Sequence, residues 1–251
     1  MVHIIGHRGG AGLWPENSLA GFRELAALPV EGVEFDVHLT VDGELLVIHD
    51  PTLDRTTDHT GPVAALRRGE HREVTLKQSG GQSLPLLGDV LEIFTGNRME
   101  LHVELKGDAG GTSYPGLAAK AAAMLDHYAL ADRAMLTGFD PAAVAEVRGV
   151  APHIRTLCAL DAQAVERYGL LAALDAMARV ADVVAVEKGV LDRQWDAITA
   201  RLPGDRLGVW VPNEEAELAA WLSRPIRQLT TDRPDRALKL RGRQAAIPLG
   251  K

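Results

Sequence analysis

Eight short β-type runs, most of them followed by an Ala- and Leu-rich stretch at helical spacing, constrain this chain more than any other feature. The runs are Val2–Gly6, Gly32–Val37, Glu100–Lys106, Ala134–Phe139, Ile154–Leu160, Asp182–Glu187, Leu207–Val211 and Arg227–Thr231. Helices are expected between them at Ser18–Ala27, Leu87–Phe94, Leu117–Tyr128, Pro141–Val150, Ala162–Ala181, Arg193–Leu202 and Glu214–Leu222. In the third of these, Leu117, Ala121, Met124, Leu125 and Tyr128 recur at three- and four-residue spacing, which is one face of a helix. Alternating strand and helix imply parallel strands joined by right-handed crossovers. Eight such units in 251 residues favour a closed TIM (β/α)8 barrel over an open sheet, read as a single domain spanning 1–251.

One segment breaks the alternation. After Glu34-Phe35-Asp36-Val37 a second β run, Leu45-Leu46-Val47-Ile48-His49-Asp50, follows too closely for a helical crossover, and Asp42-Gly43 is a hairpin signal. The second strand is therefore expected to extend and fold back antiparallel. With the turn centred near Asp42, paired residue numbers sum to about 84, which sets His49 opposite Phe35 and beside Glu34 and Asp36. From 51 to about 86 there is little periodicity and much Gly, Pro, Thr and Arg, which reads as a small insertion with short helical turns.

Composition removes several function classes. A net charge of −7 argues against a nucleic-acid or anionic-membrane surface. One cysteine, Cys158, excludes an intramolecular disulfide framework and a Cys-rich zinc site, and it reads as a buried inert thiol. No run of eighteen apolar residues occurs, so no membrane span is expected. Met1–Ile5 is too short for a signal core, and the expected location is the cytoplasm. Arg236, Lys239, Arg241, Arg243 and Lys251 make the carboxyl terminus locally basic, which reads as a solvated tail.

In a parallel barrel the active face lies at the carboxyl ends of the strands. Charged groups gather there: His7-Arg8-Gly9-Gly10, Glu34-x-Asp36, Glu104-x-Lys106 and Thr231-Asp232, with His49-Asp50 from the hairpin and Trp210-x-x-Asn213. Glu34 and Asp36 are two apart on a strand and share a face. With Glu104 they form a thiol-free carboxylate set suited to a hard divalent cation, Mg²⁺ or Ca²⁺. His7 and His49 can exchange protons near neutral pH, one accepting from a nucleophile and one donating to a leaving oxygen. Arg8 and Lys106 are expected to bind phosphate oxygens. Asp50 and Asp232 read equally as imidazole-orienting carboxylates and as turn or cap residues, and Pro15-Glu16-Asn17-Ser18 as a helix cap. Trp210 and Glu187 are candidates for contact with the organic part of a substrate. The other seven histidines read as structural or exposed, with His38 and His102 expected to face away from the site.

Together these residues resemble the glycerophosphodiester phosphodiesterase family. The resemblance rests on His7-Arg8-Gly9, Pro15-Glu16-Asn17, Glu34-x-Asp36, His49-Asp50, Asp54-Arg55-Thr56-Thr57, Glu104-x-Lys106, Trp210-x-x-Asn213 and Thr231-Asp232-x-Pro234, in the family's order along nearly the whole chain. It implies a TIM barrel with a small insertion after the hairpin, a metal held by Glu34, Asp36 and Glu104, and His7 with His49 as the acid–base pair. Three departures touch the pocket rather than the chemistry. Ser18 stands where the family usually has Thr, Thr137-Gly138-Phe139 replaces a Ser-Phe pair, and Val211-Pro212 replaces Thr-Val.

The expected reaction is metal-dependent hydrolysis of a glycerophosphodiester, a small-molecule partner, to glycerol 3-phosphate and an alcohol. Which histidine is acid, and whether water or a substrate hydroxyl attacks, stay open, as does homo-oligomerisation. The alternatives are a related lysophospholipid or phosphoinositide phosphodiesterase, or a barrel that binds a phosphorylated ligand without turnover.

Overall fold

The computed structural model describes residues 1–245. The strands are β1 (His3–Gly6), β2 (Gly32–Leu39), β3 (Leu45–Val47), β4 (Glu100–Leu105), β5 (Ala134–Gly138), β6 (Arg155–Leu160), β7 (Val183–Glu187), β8 (Leu207–Trp210) and β9 (Gln228–Thr231). Among the described residues, β1, β2 and β4 to β9 pair in parallel, and a β1–β2 pairing and a β1–β9 pairing close the ring. That closure makes the fold a TIM barrel.

The helices are α1 (Leu19–Ala26), α2 (Leu87–Phe94), α3 (Leu117–His127), α4 (Pro141–Val150), α5 (Ala162–Tyr168), α6 (Leu170–Val180), α7 (Lys188–Arg193), α8 (Trp195–Thr199), α9 (Glu215–Ser223) and α10 (Pro234–Ala245). Several start where a side chain supplies a cap or a stiff first turn. Ser18 Oγ accepts the Gly21 N–H at 3.1 Å to open α1, and Asp140 caps α4 with Pro141 at its first position. The outer layer buries an apolar belt against the odd-numbered face of β2. Phe35 meets Phe22 of α1 edge-on, with centroids 5.6 Å apart, and Phe22 meets Phe94 of α2 at 6.0 Å. Because side chains alternate along a strand, fixing Phe35 outward turns Glu34 and Asp36 inward.

The hairpin follows the expected register. Val37 pairs with Val47, His38 with Leu46 and Leu39 with Leu45, and Thr40 closes the turn with Glu44 and Gly43. The ladder ends at Val47, and the Ile48 N–H still donates to the Asp36 carbonyl at 3.1 Å. Beyond it the chain makes an excursion with its own apolar cluster of Leu46, Ile48, Leu53, Val63, Val74, Leu76 and Leu84.

Two expectations are corrected. The stretch 162–181 is not one helix: Gly169, at φ +79°, splits it into α5 and α6, a backbone conformation that glycine adopts without Cβ strain. The basic carboxyl-terminal stretch is not a solvated tail up to residue 245. It forms α10, whose Ala237 is buried and whose Arg241 Nη1 bonds both oxygens of Glu31 at 2.8 Å. Arg236 Nη1 donates to the Asn213 carbonyl at 3.1 Å. Arg236 and Arg241 are thus tied to the barrel from different faces of α10, whereas Lys251 lies outside the described residues. No helix among the described residues is long and apolar enough to cross a membrane.

Candidate active site

β1 delivers His7 and Arg8 through a tight turn at the barrel mouth. Arg8 takes a left-handed backbone at φ +49°, and Gly10 follows at φ +91°. A Cβ on Gly10 would lie 2.9 Å from the Trp14 ring, so the turn needs glycine there. The turn aims the Arg8 N–H at Glu34 Oε2, 3.0 Å away. Glu34, Asp36 and Glu104 converge so that one oxygen from each lies within 4.8 Å of the others. Glu34 and Asp36 are buried.

The cations are arranged around this acidic group. Lys106 Nζ lies 2.6 Å from Glu104 Oε1 and 3.1 Å from Asp36 Oδ1. Arg8 Nε is 3.6 Å from Asp36 Oδ2, and its Nη1 bonds Glu16 at 3.2 Å. Burial raises the Glu34 pKa and the Asp36 charge adds to it, so this carboxyl holds its proton well above the ordinary range. Burial also works against ionised Asp36, but Lys106, His49 and Arg8 outweigh it and keep that carboxylate charged.

The donor set fits a hard divalent cation. All the converging atoms are carboxylate oxygens, and Glu34 Oε1 and Asp36 Oδ1 are buried without a hydrogen bond. A buried acceptor without a partner costs about 1–3 kcal/mol, which a cation bound at Glu34 Oε1 would relieve, whereas Asp36 Oδ1 already faces the Lys106 ammonium.

Each site histidine is anchored through Nδ1 by a carboxylate. His7 Nδ1 meets Asp232 Oδ1 at 2.6 Å, and Asp232 Oδ2 accepts from Asn213 Nδ2 at 2.6 Å. His49 Nδ1 meets Asp50 Oδ1 at 2.7 Å, Asp50 accepts from Arg55 at 2.6 Å, and Arg55 forks onto Glu16 at 2.8 Å. With Nδ1–H committed to an acid, Nε2 is the working nitrogen on both rings. His7 Nε2 lies 3.8 Å from Glu34 Oε2. Burial opposes charge on His7, but the Asp232 hydrogen bond and the Glu34 charge prevail and raise its pKa. For His49, burial together with Lys106 and Arg8 prevails over Asp36 and Asp50, and its pKa is lowered. The same carboxylate–imidazole pairing thus biases the two rings in opposite directions, His7 toward the imidazolium and His49 toward the neutral form.

These groups border a cavity of about 180 Å³ that runs into the barrel. His7, Arg8, Glu34, His49 and Glu104 line one side, and Phe139, Leu157, Ala159, Ala185, Trp210 and Val211 the other. Trp210 is held by its Nε1–H on the Ala185 carbonyl at 3.1 Å and meets Phe139 edge-on at 5.5 Å. Glu187 is not among the lining residues; its Oε2 accepts the Ala162 N–H at 2.8 Å, at the start of α5.

The expectation for His38 and His102 is corrected. Strand side chains repeat every two residues, so His38 shares a face with Glu34 and Asp36, and His102 with Glu104. His102 lines the cavity floor, where its Nε2 bonds Glu100 at 2.7 Å; Glu100 also takes Arg155 and Arg227. His38 Nε2 donates to the His49 carbonyl at 3.1 Å, with Nδ1 on the Tyr114 hydroxyl at 3.0 Å. The period-two signal that gives this face is already in the sequence.

The sequence profile described as the glycerophosphoryl diester phosphodiesterase family matches residues 7–236. A Bacillus altitudinis glycerophosphodiester phosphodiesterase is 30% identical over 96% of this chain and 98% of its own length. A solved structure from Agrobacterium tumefaciens, ascribed to the glycerophosphoryl diester phosphodiesterases, superposes with a TM-score of 0.91 at 26% identity, covering 98% of this chain and 100% of its own. An Oleispira antarctica phosphodiesterase, solved with its product sn-glycerol-3-phosphate, shares the fold at a TM-score of 0.78 and 21% identity, over 95% of this chain and 96% of its own. With the profile matched from the β1 turn to α10, the chain belongs to the glycerophosphoryl diester phosphodiesterase family, a family of phosphoric diester hydrolases.

Proposed function

We propose that this chain hydrolyses a glycerophosphodiester to glycerol 3-phosphate and a free alcohol, with a divalent cation held by Glu34, Asp36 and Glu104. The observation that carries the reading is the convergence of three carboxylates, two of which, Glu34 and Glu104, line one cavity with two imidazoles anchored through Nδ1. Mg²⁺ or Ca²⁺ bound there supplies charge neutralisation at the phosphoryl group and acidifies the attacking hydroxyl. Arg8 and Lys106 hold phosphoryl oxygens, the first with a planar fork and the second as a point charge. Both are kept charged by the surrounding acids against the opposing effect of burial. Neutral His49 takes the nucleophile's proton at Nε2, and Asp50 steadies the imidazolium that forms. Protonated His7 gives its Nε2 proton to the departing alkoxide while Asp232 holds its ring.

The reading is supported by the cavity's division. A polar side faces the phosphate, and an apolar wall of Phe139, Leu157, Ala185 and Trp210 faces the carbon skeleton. Its volume of about 180 Å³ suits a glycerol-sized group at the inner end. The Oleispira relative's product, sn-glycerol-3-phosphate, agrees with that assignment. Initial rates on glycerophosphocholine, glycerophosphoethanolamine and lysophosphatidylcholine, each with Mg²⁺ or Ca²⁺ and with EDTA, test it. The expected result is cation-dependent release of glycerol 3-phosphate from the water-soluble diesters. Turnover that survives EDTA, or that favours the lipid, would overturn the assignment.

A further inference from the structure

Asn17 sits between the β1 turn and α1, where the sequence suggests only a helix cap. Capping is done by its neighbour, since Ser18 Oγ takes the Gly21 N–H at 3.1 Å. Asn17 is instead 1% exposed and adopts a left-handed backbone at φ +55°. Asparagine adopts that conformation more readily than other residues with a side chain, so the backbone here suits Asn or Gly. Its backbone N–H donates to the Arg8 carbonyl at 2.9 Å, and its Nδ2 donates to Asp36 Oδ2 at 2.9 Å. Asn17 Oδ1 is buried and makes no hydrogen bond, as are Glu34 Oε1 and Asp36 Oδ1.

The pattern is asymmetric in a telling way. The amide spends its donor on Asp36 Oδ2, while Asp36 Oδ1 makes no hydrogen bond and lies 3.1 Å from Lys106 Nζ. A carboxylate free to rotate about its terminal torsion would share both oxygens among nearby donors. Fixing Oδ2 with a neutral donor holds the carboxylate plane, and with it the reach of Asp36 toward Glu34 and Glu104, without adding positive charge that would repel a cation. Arg8 and Lys106 cannot serve this purpose, because each brings a full charge to the same acid.

We propose that Asn17 is a positioning residue of the cation site, orienting Asp36 through Nδ2 and bracing Arg8 through its backbone. The inference rests on the cation reading above. Asn17→Gly keeps the left-handed backbone and removes the side chain, whereas Asn17→Asp keeps size and removes the donor. Isothermal titration of the full-length chain with Ca²⁺ and with Mg²⁺ tests both variants, with thermal melts as the folding control. The dissociation constant is expected to rise about 10- to 100-fold in each, the effect typical of removing a residue that orients a ligand. Unchanged binding in Asn17→Gly would overturn the proposal. Unchanged binding in Asn17→Asp would do the same. Should Asn17→Gly fail to fold, the near-isosteric Asn17→Asp alone decides. A wild-type chain that binds neither ion would overturn the cation reading and this inference with it, whereas a normal wild type with normal variants would sink the Asn17 role alone.

Discussion

The two halves of the barrel mouth are built from the same strand–helix unit and do opposite things. The ends of β1, β2 and β4, with the outgoing hairpin, carry His7, Arg8, Glu34, Asp36, His49, Glu104 and Lys106. The ends of β5 to β8 contribute Phe139, Ala159, Ala185 and Trp210, and the charged groups near them, such as Glu187, are spent on helix ends. The charged half is costly to fold: its acids are buried, two of their oxygens lack hydrogen bonds, and Arg8 holds a left-handed backbone. The apolar half packs like ordinary core, with Met135, Leu157, Val183 and Ala185 under Trp210. Charge is therefore concentrated in one arc, and the other arc gives the cavity its shape.

Substitutions should separate the arcs by size and by kinetic signature. Glu34→Ala, which removes a cation ligand without unbalancing a helix end, is expected to lower kcat by on the order of 10³-fold or more in the presence of Mg²⁺ or Ca²⁺. A residual rate within tenfold of wild type, measured by glycerol 3-phosphate release, would remove Glu34 from the chemistry. His7→Gln and His49→Gln should each cost roughly 10²- to 10⁴-fold in kcat. Their pH profiles should differ in sign. The His49 limb lies on the acid side, because that ring must be neutral and its pKa is lowered, and the His7 limb on the alkaline side, because that ring must be charged and its pKa is raised. Interchanged limbs would reverse the acid and base roles.

Smaller effects are expected one bond further out. Asp232→Asn should reduce kcat by about 10- to 100-fold, and Asp50→Asn by less, since the His49 carbonyl is also held by His38 Nε2. Equal losses would show that both carboxylates tune their rings alike. In the apolar arc, Phe139→Ala should raise KM only a few-fold with kcat nearly constant, the mark of binding that is uniform along the reaction. A matching loss in kcat would give the wall a part in the transition state.

Acidity gives a further contrast. The pKa of Glu34 is raised in the folded chain, so the native state binds a proton that the unfolded chain releases above the ordinary carboxylate range. Stability from this group is present at low pH and declines as pH rises through that window. A cation must displace the same proton, so its stabilising effect should grow with pH. The thermal shift caused by saturating Ca²⁺ is expected to be larger at about pH 8 than at about pH 5.5, by up to several degrees for a chain of this size. A pH-independent shift would mean that Glu34 is already ionised in the cation-free protein.

Much of the charged arc could be read before folding because its logic is local. Glu34-x-Asp36 and Glu104-x-Lys106 share faces by strand alternation, and the Asp42-Gly43 turn sets the pairing of Val37 with Val47. Applied consistently, the same alternation places His38 and His102 on the inner face, so their surroundings were legible and misassigned. Other features depended on distance. Asp232 is 225 residues from His7, and its even reading between cap and orienting carboxylate resolves only when β9 closes against β1. Asn17 reads as a cap residue because Ser18, one residue on, is the stronger signal.

By itself, then, the chain's sequence determined the alternation, the hairpin register and the residue types at the strand ends, because periodicity and turn chemistry act over a few residues. Tertiary structure alone decided which acid anchors which imidazole, which carboxylate oxygens are left unbonded, and that Leu157, Ala159 and Ala185 of distant strands form a wall opposite the charges. The physical reason is closure. A barrel brings its first and last strands into contact and imposes burial on groups that are neighbours only in space, and burial sets the cost of each unpaired charge.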